Sequence, residues 1–180
     1  MRCYLLRCEV KTTTALDECF RFFENPYNLA EITPPWLSFN ILDKGLKMRK
    51  GLEINYKIKW LGLSMGWQTI ITEYQPPYRF VDLQAKGPYR LWHHTHRFQP
   101  LPDGTLVTDE VRYVLPLGPL GSIAHAAMVK HQLLGIFRYR QQKLAEKLGG
   151  SVVEVQAPSI QVLPPLTKRE LADYAALATR

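Results

Sequence analysis

The sequence predicts an α+β fold: a curved antiparallel β-sheet wrapped around one long C-terminal helix, with two short helices after the first strand. Three observations lead there. Residues 36–116 carry short strand patterns separated by turn signals, with no helical pattern between them. That spacing argues for an antiparallel meander rather than βαβ units. A single helical pattern, about Ser122 to Leu148, is long enough to cover such a sheet. Two short helical stretches separate the first strand from the rest.

Each element has its own local warrant. Residues 2–11 alternate, with Tyr4, Leu6, Cys8 and Val10 on one side and Arg7, Glu9 and Lys11 on the other, as in a half-buried strand. Thr14 and Asp17 stand as a capping-box-like start for a helix through Phe23. Asn25-Pro26 ends it and opens a second short helix through Ile32, which Thr33-Pro34-Pro35 stops. Strands follow at Leu37–Leu42, Leu52–Trp60, Met65–Tyr74, Tyr78–Ala85, Tyr89–Gln99 and Leu106–Leu115. Leu61-Gly62, Gln75-Pro76-Pro77 and Lys86-Gly87-Pro88 turn the chain between them. Pro102-Asp103-Gly104-Thr105 is a hairpin signal. In the long helix, Ile123, Ala127, Leu134, Phe137, Leu144 and Leu148 recur at helical spacing, and Gly149-Gly150 supplies the stop.

The domain is expected to span residues 1–149, followed by a C-terminal extension over 150–180. Thr167-Lys168-Arg169-Glu170 is a capping box for a short helix over about 168–178. Two placements follow for this tail. Val152, Val153, Val155, Ile160 and Val162 are apolar enough to dock on the domain or on a second copy, making a homodimer. The alternative is a tether ending in a short helix.

Composition narrows the function. The chain has 180 residues, 46% hydrophobic and 22% charged, which excludes wholesale disorder, collagen-like repeats and a disulfide-dense miniprotein. No run of apolar residues is long enough for a transmembrane helix. Arg7 and Glu9 interrupt what would be the apolar core of a signal peptide. The cysteines, Cys3, Cys8 and Cys19, form no Cys-x-x-Cys pair, so they read as buried free thiols and point to the cytoplasm. The net charge is +7, from 23 Lys and Arg against 16 Asp and Glu. Residues 150–180 are neutral, with Lys168, Arg169 and Arg180 against Glu154, Glu170 and Asp173, so the whole excess lies before them. Much of it is on the long helix, at Lys130, Arg138, Arg140, Lys143 and Lys147 against Glu146. No Lys/Arg run of five or more occurs, so this charge reads as the wet face of a helix rather than a nucleic-acid or membrane site.

Strand parity brings one set of residues together. Trp92, His94, His96 and Phe98 share a face. Pairing through the 102–105 hairpin puts Val107, Asp109, Val111 and Tyr113 on that same face, with Asp109 opposite His96 or Phe98. Aromatics at both ends mark it as the inner face. Three chemistries fit two imidazoles and a carboxylate: metal ligation, acid–base catalysis on a bound molecule, and hydrogen bonding within a cavity wall that orients a ligand. The last is preferred, with no metal and no cofactor called for. Trp67, Tyr56, Trp60 and Trp36 either line the same space or pack the core. Phe80, Asp82 and Gln84 share one face of their strand and Val81, Leu83 and Ala85 the other, and parity alone leaves the inward face open.

The runs Trp67–Tyr74, Pro76–Asp82, Gly87-Pro88-Tyr89 and Trp92–Phe98 resemble a bacterial ligand-binding branch of the START/SRPBCC superfamily, which includes birch-pollen-allergen-like and polyketide cyclase/dehydrase-like proteins. So do Gly104-Thr105, Asp109–Tyr113, Pro116-Leu117-Gly118, Asn25-Pro26 and Thr33-Pro34-Pro35. The resemblance covers residues 2–148. It implies a helix-grip fold with a hydrophobic cavity, binding a lipid, polyketide or aromatic molecule as carrier or sensor. Trp67, Phe80, Trp92, His94, His96, Phe98, Asp109, Tyr113 and Phe137 are the expected ligand-binding residues. The alternative is a cyclase/dehydrase-like enzyme using His94, His96 and Asp109.

Overall fold

Strand β1 (Cys3–Thr12) is followed by helix α1 (Leu16–Glu24), a 3₁₀ turn of helix (Pro26–Ile32) and the two-residue strand β2 (Asn40–Ile41). The meander then runs through β3 (Glu53–Trp60), β4 (Leu63–Gln75), β5 (Arg79–Lys86), β6 (Leu91–Leu101) and β7 (Gly104–Val114). Helix α2 (Gly118–Ala124) passes through a π-helical turn (His125–Val129) into α3 (Lys130–Lys147). Strands β8 (Gly150–Ser151) and β9 (Ser159–Leu163) and helix α4 (Lys168–Leu177) complete the chain. The computed structural model describes residues 1–60, 62–151 and 156–179.

The strands form one antiparallel sheet in the order β2-β3-β4-β5-β6-β7-β1-β8, with β9 also on β1. The sheet wraps α3 as predicted. Val129, Leu133 and Phe137 pack on Tyr4, Leu6, Cys8, Val111 and Tyr113. Leu144 and Leu148 join a second cluster with Phe20 and Phe23 of α1 and Ile71, Phe80 and Phe98 of the sheet. Burying an aliphatic or phenyl side chain of this size stabilises by about 1.5–3 kcal/mol. The two clusters therefore fix the helix against the sheet at both of its ends. The three cysteines are buried free thiols. Burial pushes the Cys19 thiol up to about 11, which removes it as a nucleophile at neutral pH. None of the described helices is long and apolar enough to cross a membrane.

Several local expectations are corrected. Thr14 does not cap α1; the N-cap is Ala15 without a side-chain bond, and Thr14 Oγ1 donates instead to the Leu148 carbonyl at 2.6 Å. Tying the β1–α1 connection to the end of α3 satisfies a helix-terminal carbonyl, so the hydroxyl is already spent. Strand β2 covers only part of 37–42, because Pro35–Leu37 is a 3₁₀ turn. The inward face of the long helix is also not the one predicted throughout. Ile123 is 66% exposed and Ala127 is exposed. The π turn inserts a residue between α2 and α3, which rotates everything before it relative to the α3 stripe. His125 becomes the inward residue there, stacked on Tyr4 and 2.7 Å from the Tyr113 hydroxyl.

The tail extends the sheet along β1 and then covers its outer face. β9 pairs with β1 from Cys3↔Leu163 to Arg7↔Ser159. Leu171 of α4 is buried with Cys3, Leu83, Leu91 and Val114, and the predicted capping box is formed at Thr167 and Glu170. Val152, Val153 and Val155 lie outside the described residues.

Candidate functional site

A cavity of about 430 Å³ lies between the sheet and α3. That is within the range of small-molecule sites. Ile54, Tyr56, Trp67, Phe80, Trp92, Leu133 and Phe137 give it an apolar wall. It reaches the surface beside α2, where Leu117 and Leu120 line it and are 76% and 67% exposed.

One part of this wall is ionic, and the sheet register builds it. Asp82 on β5 pairs with His94 on β6, and His96 pairs with Asp109 on β7. The observed hairpin register is thus the His96↔Asp109 alternative. All four side chains project inward from adjacent strands, so they meet in one row. Arg140 reaches down from α3 to close the row, its Nε donating to Asp109 Oδ2 at 2.9 Å. His96 Nε2 is 2.9 Å from Asp82 Oδ2, and His94 Nδ1 is 3.6 Å from the same oxygen. On their other edges, His94 Nε2 is 3.2 Å from Asp109 Oδ1 and His96 Nδ1 is 2.6 Å from it. The His96 contact is an ion pair only: the ring is out of line, and Nδ1 makes no hydrogen bond.

Burial sets the electrostatics. Asp109 and Arg140 are 3% and 7% exposed. Two carboxylates and one guanidinium leave one negative charge, and one imidazolium balances it. Burial works against charge on both rings, but Asp109 and Asp82 together raise the pKa of His96 above the usual histidine value. His94 is lowered, first by burial and then by the charge of His96. Burial opposes ionisation of Asp109 too, yet Arg140 and His96 hold it well below the usual carboxylate range. Asp82 is lowered by His94 and His96 against the same penalty. Charge balance and these directions make His96, rather than His94, the ring that takes a proton first.

The aromatic neighbours hold these rings in place. Phe80 stacks on His96 with centroids 4.2 Å apart, and Phe137 lies 5.8 Å from His94. Arg140 sits over the Phe23 ring at 5.7 Å.

Of the residues predicted to bind ligand, Trp67, Phe80, Trp92, His94, His96 and Phe137 line the cavity. Phe98, Asp109 and Tyr113 share the inner face but stand behind the wall. Phe98 is covered by Phe20 and Phe23, at 5.1 and 4.9 Å. Asp109 is enclosed by the two histidines and Arg140. Tyr113 is closed off by Tyr4 and His125. Asp82 faces inward and lines the cavity, which decides the open strand face. Arg140 corrects the reading of the basic helix. Lys130, Arg138 and Lys147 are exposed, but Arg140 lies in the buried stripe of Leu133, Phe137 and Leu144.

Residues 14–134 match the family model for polyketide cyclase/dehydrase and lipid transport proteins. The chain belongs to that family. Its fold is the helix-grip fold of the START/SRPBCC superfamily. Zhui aromatase/cyclase from a Streptomyces species is similar in structure, with a TM-score of 0.66 and 14% identity over 82% of this chain and 94% of its own. A Chromobacterium violaceum protein superposes with a TM-score of 0.63 and 14% identity over 80% and 96%. Ara h 8.0201 does so at 0.54 and 12% identity over 80% and 99%. At these identities the likeness is one of fold. No curated protein sequence matches this chain.

Proposed function

We propose that this family member binds one hydrophobic small molecule of lipid, polyketide or aromatic type in the central cavity, as a carrier or sensor. The observation that carries the reading is a cavity of about 430 Å³ with a mainly aromatic and aliphatic wall into which one buried ionic row projects. An apolar body gains by leaving water against Trp67, Trp92 and Phe137. A polar end gains by bonding to His94, His96 or Asp82, because a buried polar group without a partner is costly. The arrangement favours molecules that are apolar along most of their length and polar at one end.

Native mass spectrometry and tryptophan fluorescence with long-chain acyl and polycyclic aromatic probes test this. One equivalent of probe is expected to change Trp67 and Trp92 emission. Trp92→Leu is expected to weaken binding roughly tenfold, the equivalent of about 1.4 kcal/mol. If no probe of either class binds the wild-type protein, the reading is wrong.

A second reading has its own support. His94 and His96 face the cavity between two carboxylates, as acid–base chemistry on an aromatic or polyketide substrate would need. In that case His96→Gln abolishes turnover while fold and probe binding survive. Undiminished turnover in that variant rules the assignment out.

A further inference from the structure

The polar row has more ligating atoms than an ion pair requires. Two carboxylates and two imidazoles share the space of one pair, with the rings 3.8 Å apart. One ligand atom each from Asp82, His94 and His96 lies within 4.8 Å of the other two. All three residues line the cavity. Ligand atoms held at about 2.0–2.1 Å in a tetrahedron stand roughly 3.3–3.4 Å apart. The Asp82–His96 and Asp82–His94 separations, 2.9 and 3.6 Å, bracket that spacing.

The other nitrogens matter as much. His94 Nε2 and His96 Nδ1 both turn away from Asp82 and meet one oxygen of Asp109. Asp109 is in turn fixed through its second oxygen by Arg140. The one Asp109 carboxylate thus stands behind both rings, hydrogen-bonded to His94 and in ion contact with His96; a carboxylate that orients the ring and raises its basicity is the usual support of a metal-bound imidazole. The sequence pattern alone grouped His94 and His96 with Asp109. The geometry exchanges the roles of the two aspartates.

We propose that Asp82, His94 and His96 form a binding site for one divalent transition-metal ion on the cavity wall, with Asp109 and Arg140 as its support. Two imidazoles and a carboxylate are an N/O set that suits zinc and its first-row neighbours rather than calcium or magnesium. Three protein ligands leave at least one coordination position directed into the cavity, where a ligand oxygen or water would bind. The site does not depend on the hydrophobic-ligand reading, since the ion needs none of the apolar wall.

The test uses the full-length chain after chelator treatment, titrated with Co²⁺ and Zn²⁺ and no organic ligand. One equivalent of Co²⁺ is expected to give the visible absorption of a low-coordinate site. Zn²⁺ is expected to displace it and to raise the melting temperature. Asp82→Asn is expected to weaken binding at least tenfold, and Asp109→Asn by 10–100-fold, the range for loss of a supporting carboxylate. No stoichiometric binding by wild type, or equal binding by Asp82→Asn, overturns the site. The latter would place the ion elsewhere, for instance at the exposed His131. Should Asp82→Asn fail to fold, X-ray absorption of zinc-loaded wild type decides: two imidazole ligands support the site and none overturns it. Failure of the acyl and aromatic probes leaves this result untouched, so the two readings fail separately.

Discussion

Arg140→Met is expected to destabilise the protein by about 3–5 kcal/mol, the usual cost of removing one partner from a buried ion pair. For a chain of this size that is a fall in melting temperature of roughly 6–20 °C. Methionine preserves much of the apolar stem, so the loss is one of charge more than volume. The carboxylate of Asp109, 3% exposed, is left without the guanidinium 2.9 Å away. The row then carries two negative charges and a single imidazolium. The deficit should therefore be largest at about pH 8 and shrink toward about pH 6, as a second proton enters the histidine pair. Arg138→Met, on the exposed face of the same helix, is the control and should change little. Equal denaturation midpoints for the two variants would refute the claim that Arg140 completes a buried cluster.

Arg140 also shows where sequence reading stops. Its charge assigned it to the wet face with Lys130, Arg138 and Lys147. The spacing Leu133, Phe137, Arg140, Leu144 places it in the apolar stripe, and the stripe decided its position. The predicted stripe was anchored instead on Ile123 and Ala127, which the π turn rotates outward. Periodicity assumes one constant helix, and a five-residue change of winding breaks that assumption without any Pro or unusual residue to signal it.

Strands were more legible, because alternation has only two phases. The set Tyr4, Leu6, Cys8 and Val10 and the placing of Asp109 on the face of His94 and His96 follow from parity and one hairpin turn, while the choice of His96 over Phe98 as its partner comes from the observed register. Asp82 is the exception. Parity normally identifies the inner face as the apolar one, but Val81 and Leu83 are buried as well. The tail covers the outer face at Leu83, packing Leu171 against it, so both sides of that stretch carry apolar residues. A sheet buried on two faces erases the contrast that parity reading depends on. Asp82 is thus a site residue whose role only the three-dimensional packing reveals.

Asp109→Asn should empty the histidine pair of its proton. In the metal-free wild-type protein, charge balance puts the first proton of the pair on His96, and Asp109 is the first attractive cause of its raised pKa. Without that carboxylate, Asp82 and Arg140 already balance, and burial then dominates both rings. Side-chain ¹⁵N NMR of the metal-free proteins at about pH 7 is expected to show one imidazolium in wild type and two neutral rings in the variant. The stability profile changes with it. The raised pKa of His96 contributes stability that is complete below the unfolded value of about 6.5 and is lost as pH rises through the folded one. The lowered pKa of His94 acts oppositely, so that stability falls as pH drops below about 6.5 and unfolding lets that ring take its proton. Asp82 and Asp109 contribute above the unfolded carboxylate value of about 3.9 and lose it as pH falls through their lowered folded values. Wild type should thus weaken on the alkaline side of about pH 6.5, and Asp109→Asn should not, because the variant has no imidazolium left to lose. An imidazolium that persists in Asp109→Asn at neutral pH would show that another group sets the proton, and the charge balance across β5, β6, β7 and α3 would have to be redrawn.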